Sequence, residues 1–518
     1  MKEMSLREKI GQRLVVGFPG FEMTNEYIEL VREYKVGNVI LFAENVESAL
    51  QLKTLCDSIQ ELTKAQTGYP AFITIDQEGG VVTRLHEKFA AVVPGAMAIA
   101  ATGDPQNAYI AGKLTAQELL ALGVNFDLAP DMDINSNANN PVIGVRSYGD
   151  SPETVSAYGV QMIRGLLDGG VLCTAKHFPG HGDTEVDSHL SLPKVDKTME
   201  ELEKCELAPF RAAIQAGVPS VMTTHILFPQ IEPERIPATM SRRIITGLLK
   251  ERLGFRGLVI SDCMMMNAIQ EEFGTVNGSV AAVAAGVDLV FVSHSVELAR
   301  QACEALEQKL KSGGLSMDEM NASVQSILEY KQKVSGHVPA PLSVVGCRAH
   351  RETVRKLMED AITPVQVPAG GLPPLGDRPI VLGCYPFRPT IASNPEMKEL
   401  SFADYLSKKL GADSLITPVD PDEHEIDAIL EKAKGHSCIV AGTYNGHIKK
   451  GQLALVRALD KLNIPLVCVA LRNPYDLRDL PSSVYALAAY SYDENSLNAV
   501  ARVLRREIEP HGKLSVRL

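Results

Sequence analysis

Short runs of apolar and β-branched residues recur eight times between residues 14 and 292, and longer stretches with helical spacing separate them. This alternation is typical of a parallel sheet whose strands are joined by crossover helices. Eight strands that each lead into a helix predict a closed (β/α)8 barrel of the TIM type, in the α/β class. The predicted strands are residues 14–17, 38–42, 71–75, 124–128, 171–175, 220–224, 257–261 and 287–292.

A break in this pattern predicts a second domain. The stretch SGHVPAPLS at 335–343 is rich in Ser, Gly and Pro, which suits a semi-rigid linker. Beyond it, apolar runs alternate again with helical patterns. We therefore predict a catalytic barrel domain over 1–334, a linker over 335–345 and an α/β sandwich domain over 346–518.

The composition bears on partners and location. Apolar residues make up 45% and charged residues 22%, as in an ordinary globular enzyme. The formal charge of -12, with no conspicuous basic run, argues against a nucleic-acid partner. No signal peptide or membrane-spanning stretch is predicted, and nine cysteines without a CxxC pair fit reduced thiols. We expect a cytoplasmic protein that does not bind a membrane, and its oligomeric state cannot be predicted.

Polar residues follow several of the predicted barrel strands. In a barrel of this type, catalytic groups lie at the carboxyl ends of the strands. Any one of these residues is also compatible with a helix cap or a turn, but their recurrence at one edge favours a site. They are Asp76, Gln77 and Glu78 after the third run, Asp131 and Asp133 after the fourth, Lys176 and His177 after the fifth, His225 after the sixth and Asp262 after the seventh.

The densest group of reactive side chains is KHFPGHGDTEVDSHLSLP at 176–193. Its glycines and proline predict an irregular loop, and loops on a rigid barrel commonly hold catalytic groups. Asp187 and His189 are two residues apart, so in an extended segment both side chains leave the same face. We expect the carboxylate to orient the imidazole.

A zinc site is an alternative interpretation of the same loop. By composition, His177, His181, His189 and Asp183 resemble a ligand set. Pro179 and Gly180, however, break the helical spacing that would place two histidines one turn apart. A hydrogen-bonded loop without a metal also accounts for His181 and Asp183.

A second candidate group is GLVISDCMMMNA at 257–268, a buried-looking strand that ends in Asp262. An ionised carboxylate there could stabilise positive charge at a sugar's anomeric carbon and then form a covalent ester with it. The plain alternative is a cap for the next segment. The methionines Met264–Met266 are expected to pack rather than bind a soft metal.

Several ordered motifs together resemble glycoside hydrolase family 3, and the Asp187-Ser188-His189 segment resembles its β-N-acetylglucosaminidase branch, often called NagZ-type, in a two-domain form. The resemblance extends over nearly all of the first 330 residues. The motif VALRNPYDLRDLP at 469–481 is similar to the α/β sandwich that many members append. The other motifs are KHFPGHGDTEVDSH at 176–189, ITIDQEGGVVTRL at 73–85, NNPVIGVRSYGDSPE at 139–153, VMTTHILFP at 221–229, PATMS at 237–241 and VISDCMM at 259–265.

The resemblance implies a retaining, two-step hydrolysis of terminal β-linked N-acetylglucosamine. Asp262 matches the family nucleophile, His189 the acid and base of this branch, and Asp187 its hydrogen-bonding partner. Relatives often carry a second acid at position 263, where this chain has cysteine. The positions that grip the sugar in the family are occupied by Asp76, Arg84, Arg146, Lys176 and His177.

By the same resemblance, the substrate is a small carbohydrate, either an N-acetylglucosaminyl muropeptide or a short chitooligosaccharide, recycled inside a bacterial cell. No metal and no other cofactor is expected. A neutral histidine base would not repel an anion, so phosphorolysis by inorganic phosphate is one alternative. Others are a family 3 β-glucosidase and a sugar-binding protein without activity, which would have lost residues such as Asp262.

Overall fold

The computed structural model of the protein describes residues 4–184, 192–388 and 400–518. In the first part of the chain, parallel strands form one sheet. These strands are β1 (Leu14–Val16), β2 (Asn38–Leu41), β3 (Phe72–Ile75), β4 (Phe126–Asp127), β5 (Thr174–Phe178), β6 (Ser220–Thr223), β7 (Leu258–Cys263) and β8 (Leu289–Val292).

The sheet runs in the order β4-β3-β2-β1-β8-β7-β6-β5. Within the described residues, β4 and β5 meet through isolated bridges that pair Phe126 with Leu172 and Asp131 with Lys176. The sheet is thus a nearly closed barrel, and the bridges mark a seam between its two ends.

Helices surround the barrel. They are α1 (Leu6–Gln12), α2 (Asn25–Tyr34), α3 (Ala49–Thr67), α4 (Ala96–Ala101), α5 (Gln106–Leu122), α6 (Pro152–Asp168), α7 (Met199–Lys204), α8 (Leu207–Gln215), α9 (Asn267–Gln270), α10 (Thr275–Ala285), α11 (Val296–Lys311) and α12 (Met317–Ser335). In the described ranges, no helix has both the length and the apolar character needed to cross a bilayer.

The helix α3 illustrates how the sequence sets these elements. The Ser48 side chain caps its first turn by accepting from the Gln51 backbone N–H, and Gly68 ends it in a left-handed conformation at φ 80°. Leu52, Leu55 and neighbouring apolar residues at helical spacing face the barrel strands. The strands β1, β2 and β3 are buried along their whole length, as expected for a sheet covered on both faces.

The structure departs from the predicted pattern of strands and helices in several places. The stretch with helical spacing between β5 and β6 forms two helices rather than one, because Cys205 leaves helical geometry at φ -121° and ψ -89°. The helical segment Arg243–Arg252 is a π-helix. The fifth strand begins at Thr174 and runs through Lys176 and His177, which were expected to follow it.

The second part of the chain forms a mixed sheet with helices around it. Its strands are β9 (Thr363–Gln366), β10 (Pro379–Gly383), β11 (Asp413–Ile416), β12 (Cys438–Thr443), β13 (Leu466–Ala470) and β14 (Tyr485–Ala488). Its helices are α13 (Arg348–Ala361), α14 (Phe402–Leu410), α15 (Glu423–Ala433), α16 (Lys450–Asp460) and α17 (Glu494–Leu504). The strand order is β11-β10-β12-β13-β14-β9, in which β9 is antiparallel to β14. The predicted fold class, a TIM-type barrel followed by an α/β sandwich, is confirmed.

The two parts of the chain are joined by specific contacts. Buried Glu118 on α5 accepts hydrogen bonds from the Gly346 backbone N–H and from His350 Nδ1, both at 2.8 Å. The Arg351 guanidinium donates to the carbonyl oxygen of Glu87 in the barrel loop after β3 at 2.9 Å. The start of α13 is therefore held against the barrel.

Candidate active site

Charged side chains cluster at the carboxyl ends of neighbouring barrel strands. Asp76 and Glu78 follow β3, and Lys176 lies within β5. The Lys176 Nζ is 2.9 Å from Asp76 Oδ1 and 2.6 Å from Glu78 Oε1. Burial disfavours the ammonium, but the two carboxylates outweigh it and hold the pKa of Lys176 above its usual range. Lys176 is therefore a buried cation that links β5 to the loop after β3.

Arg146 supplies a second buried cation from the short 3-10 helix Gly144–Arg146. Its Nε donates to Glu78 Oε2 at 2.8 Å and its Nη2 to Glu78 Oε1 at 2.7 Å. Burial raises the pKa of Glu78, yet Arg146 and Lys176 together bring it well below its usual range. The carboxylate is thus ionised and holds both cations in place.

His177 is held in one orientation by Asp133. The His177 Nδ1 lies 2.7 Å from Asp133 Oδ2, and the His177 backbone N–H donates to the same oxygen at 3.2 Å. Arg146 Nη2, which can only donate, faces His177 Nε2 at 3.5 Å. His177 therefore donates from Nδ1 to Asp133 and turns Nε2 toward Arg146.

Asp131, Asp133 and His177 have ligand atoms within 4.8 Å of one another, which is close enough to hold a metal ion. The Arg146 guanidinium, however, lies 3.6 Å from Asp131 Oδ2. Both oxygens of Asp133 also accept hydrogen bonds, from His177 and from the His181 backbone N–H. Because a guanidinium already faces the carboxylates, the group suits an internal ion-pair network better than a metal site.

Asp262 lies near the end of β7 and is partly exposed. The Cys263 backbone N–H donates to Asp262 Oδ1 at 2.6 Å. His225, which follows β6, donates from Nε2 to the Cys263 carbonyl oxygen at 3.0 Å. The strand end that carries Asp262 is thereby tied to the neighbouring strand.

His177 and His181 of the alternative zinc set lie close together, with ring centroids 5.7 Å apart, but Asp183 and His181 have partners of their own. Asp183 pairs with Lys197 at 2.7 Å, and His181 Nδ1 lies 2.9 Å from Thr184 Oγ1. His189, the remaining histidine of that set, and Asp187, its predicted partner, lie outside the described residues.

The structure brings the five predicted sugar-gripping residues into one network. Arg84 Nη2 lies 3.5 Å from Asp76 Oδ2, and Lys176, Arg146 and His177 continue the chain of contacts. Two residues that hold this network together, Glu78 and Asp133, were not selected as site residues from the sequence. Their position after strands was noted, but the partners that they hold are distant in the chain. Fixed donors and acceptors at a barrel mouth are suited to binding a polyhydroxylated ligand.

Comparison with protein families gives a match to the glycosyl hydrolase family 3 N-terminal domain over residues 5–330. Among curated proteins, a β-hexosaminidase A of Pseudoalteromonas piscicida is 35% identical over 376 residues, which span 68% of this chain and 62% of that protein. A β-hexosaminidase of Alkalilimnicola ehrlichii is 37% identical over 289 residues, which span 55% of this chain and 81% of that protein.

A solved structure resembles the whole chain. It is a glycoside hydrolase family 3 β-N-acetylglucosaminidase from Paenibacillus sp. str. FPU-7, with a TM-score of 0.92 and 38% sequence identity. The alignment covers 100% of this chain and 99% of that chain. The similarity therefore includes both sheets and their arrangement.

Proposed function

This chain belongs to glycoside hydrolase family 3, as the sequence motifs predicted, and we propose that it is a retaining exo-β-N-acetylglucosaminidase. Its substrates would be muropeptides or short chitooligosaccharides with a terminal non-reducing β-linked N-acetylglucosamine. The proposal is supported by the similar structure, which is itself a β-N-acetylglucosaminidase, and by the β-hexosaminidase relatives.

In the first step, a carboxylate oxygen of Asp262 attacks the anomeric carbon while the bond to the aglycone oxygen breaks. His189, as imidazolium, gives its proton to that oxygen, and Asp187 favours the charged ring. In the second step, His189 takes a proton from water, whose oxygen displaces Asp262 from the sugar. Two displacements return the product with the β configuration of the substrate.

The observation that carries this proposal is the buried network at the barrel mouth. Lys176, Arg146 and Asp76 are already fixed by ion pairs, with the Lys176 side chain only 2% exposed. A sugar would therefore meet donors and acceptors that need little reordering, which limits the entropic cost of binding.

The decisive experiment compares an aryl N-acetyl-β-glucosaminide with the matching aryl β-glucoside and follows the anomeric configuration of the released sugar. We expect preference for the former and release of the β anomer. A fluorosugar that traps the intermediate is expected to label the peptide that contains Asp262. Faster turnover of the glucoside would favour the β-glucosidase alternative, and an inverted product or a label elsewhere would contradict the mechanism. Adding inorganic phosphate tests phosphorolysis, since only that reaction yields the sugar 1-phosphate.

A further inference from the structure

The short helix that carries Arg146 is in contact with the second part of the chain. Its three residues, Gly144, Val145 and Arg146, are all buried. Arg146 faces the charged network of the barrel. Val145 packs in an apolar cluster that is built mainly by the second sheet and its helices. Tyr475 and Leu477 belong to the same cluster. Adjacent residues of one turn therefore contact the candidate sugar site and the second sheet.

Asn135 connects this turn to the phenol of Tyr475, which lies in the short 3-10 helix Pro474–Leu477 after β13. The Asn135 Nδ2 donates to Tyr475 Oη at 2.7 Å, across 340 residues of sequence. The Asn135 Oδ1 accepts from the Gly144 backbone N–H at 3.1 Å. One buried amide thus uses its two ends to join Tyr475 to the first residue of the turn.

Asn473 restricts the same turn from the other side. Gly144 has a φ of 47°, and a Cβ added there would lie 2.7 Å from Asn473 Oδ1. Asn473 is itself held, since its Nδ2 donates to Asn445 Oδ1 at 3.0 Å. Both Asn473 and Tyr475 belong to the motif at 469–481, which has no role in the proposed catalytic steps.

The chain that follows Arg146 is fixed by the C-terminal segment. The Asp150 backbone N–H donates to the Ser515 carbonyl oxygen at 3.3 Å, and Arg517 Nε donates to Asp150 Oδ2 at 3.0 Å. A Cβ at Gly149 would lie 2.5 Å from that carbonyl oxygen of Ser515. Segments from the second part of the chain therefore contact both ends of the loop that bears Arg146.

We propose that the second part of the chain completes the sugar site, with Tyr475 and Asn473 acting as positioning residues that set Arg146 through Asn135 and Gly144. This inference rests on the proposed function, because it takes Arg146 to bind the sugar. It goes beyond that function by giving the appended sheet a role in substrate affinity.

The test compares Tyr475→Phe with a matched control, Tyr490→Phe. Tyr490 is equally buried, and its phenol lies 2.8 Å from Thr363 Oγ1, a contact within the second sheet. Each variant loses one buried phenol hydrogen bond, but the Tyr475 phenol bonds Asn135 of the barrel whereas the Tyr490 phenol bonds Thr363 of β9. The measurements are kcat and KM on an aryl N-acetyl-β-glucosaminide, inhibition by N-acetylglucosamine, and the Tm.

For Tyr475→Phe we expect KM and the inhibition constant to rise about five-fold, the factor that one ordinary hydrogen bond is worth, while kcat changes less. Tyr490→Phe is expected to shift the Tm similarly and leave both constants unchanged. Unchanged constants in Tyr475→Phe, with or without a lower Tm, would overturn the positioning role.

If Tyr475→Phe lowers kcat and the Tm as well, the double variant with Asn135→Ala decides. If Tyr475 acts on the sugar site by way of Asn135, the double variant binds the sugar as weakly as Asn135→Ala alone and no more weakly. Fully additive losses would contradict the inference. A wild-type protein that does not cleave the N-acetylglucosaminide would refute the proposed function, whereas an active wild type with an unaffected Tyr475→Phe variant refutes only the positioning role.

Discussion

Glu78 accepts two parallel hydrogen bonds from Arg146, Nε to Oε2 at 2.8 Å and Nη2 to Oε1 at 2.7 Å, with both side chains almost fully buried. Lys176 shares the same carboxylate at 2.6 Å. A single anion therefore holds two cations that come from distant parts of the barrel.

Replacing this anion by an amide, Glu78→Gln, is expected to lower the free energy of unfolding by about 3–5 kcal/mol, because it leaves buried cations without their partner. The matched control is Glu272→Gln, which breaks an exposed two-pronged pair with Arg235 at 2.7 and 2.8 Å. There we expect less than about 1 kcal/mol. Urea unfolding of both variants measures the difference, and similar small losses would show that Glu78 has no structural role in the network.

His189→Ala tests the proposed acid. We expect a loss in kcat/KM of about 10²–10⁴-fold on a substrate with a methyl aglycone and a much smaller loss with a dinitrophenyl aglycone, whose oxygen leaves without protonation. Steady-state kinetics on the two substrates gives the ratio. Equal damage to both would contradict the donor role. Asp262→Ala serves as the reference, since removal of the nucleophile is expected to abolish both reactions.

His181 gives the protein a defined acid sensitivity. Burial and the neighbouring His177 lower its pKa to about 4. An unfolded histidine titrates near 6.5, so between these values the unfolded state binds the extra proton and stability falls as the pH falls. The stability present above about pH 6.5 is lost by about pH 4, and the loss amounts to about 3 kcal/mol.

The measurement is the free energy of unfolding from pH 4 to 7 in the wild type, in His181→Gln and in His424→Gln, a variant at an exposed histidine. The slope of the free energy of unfolding against pH reports the protons taken up on unfolding. We expect this uptake to be smaller by up to one proton in His181→Gln and unchanged in His424→Gln. A slope in His181→Gln equal to that of the wild type would mean that His181 is not buried as a neutral ring.

Gly182 lies where a side chain does not fit. A Cβ there would be 1.6 Å from the Ile134 carbonyl oxygen, so Gly182→Ala forces the backbone to move. We expect about 3 kcal/mol of destabilisation, at the upper part of the range for overpacking. Gly247→Ala is the control, because a Cβ at that helical position meets nothing within 4 Å and is expected to be neutral or to stabilise by up to about 1 kcal/mol. Thermal unfolding compares the two, and equal Tm values would contradict the steric argument.

The barrel could be predicted from the sequence because strands covered on both faces are apolar along their length, as β8 is. The prediction was less accurate where polar residues take part in the sheet. β5 continues through Lys176, because Asp76 and Glu78 compensate its charge. A search for apolar runs therefore ends the strand before this residue. β4 has only two residues, and Asn125 beside it bonds the neighbouring strand through its side chain, to the Ile73 backbone N–H at 2.9 Å.

Some residues of the candidate site could be selected from the sequence for the same reason. Residues that follow barrel strands, such as Asp76, could be found because the fold places them at one edge. The roles of Glu78, Asp133 and Tyr475 could not be found, since each acts on a partner that only the folded chain brings near. Asn135 and Tyr475, for example, are 340 residues apart.

The junction between β4 and β5 has a consequence for local opening of the barrel. There backbone hydrogen bonds join residues 125–132 to residues 172–176, and the salt bridge between Lys176 and Asp76 links β5 to the loop after β3. A sugar bound by both Lys176 and Asp76 would add a further link across this junction. Sugar binding would then slow amide hydrogen exchange at this junction, so that ligand binding stabilises the closure of the barrel.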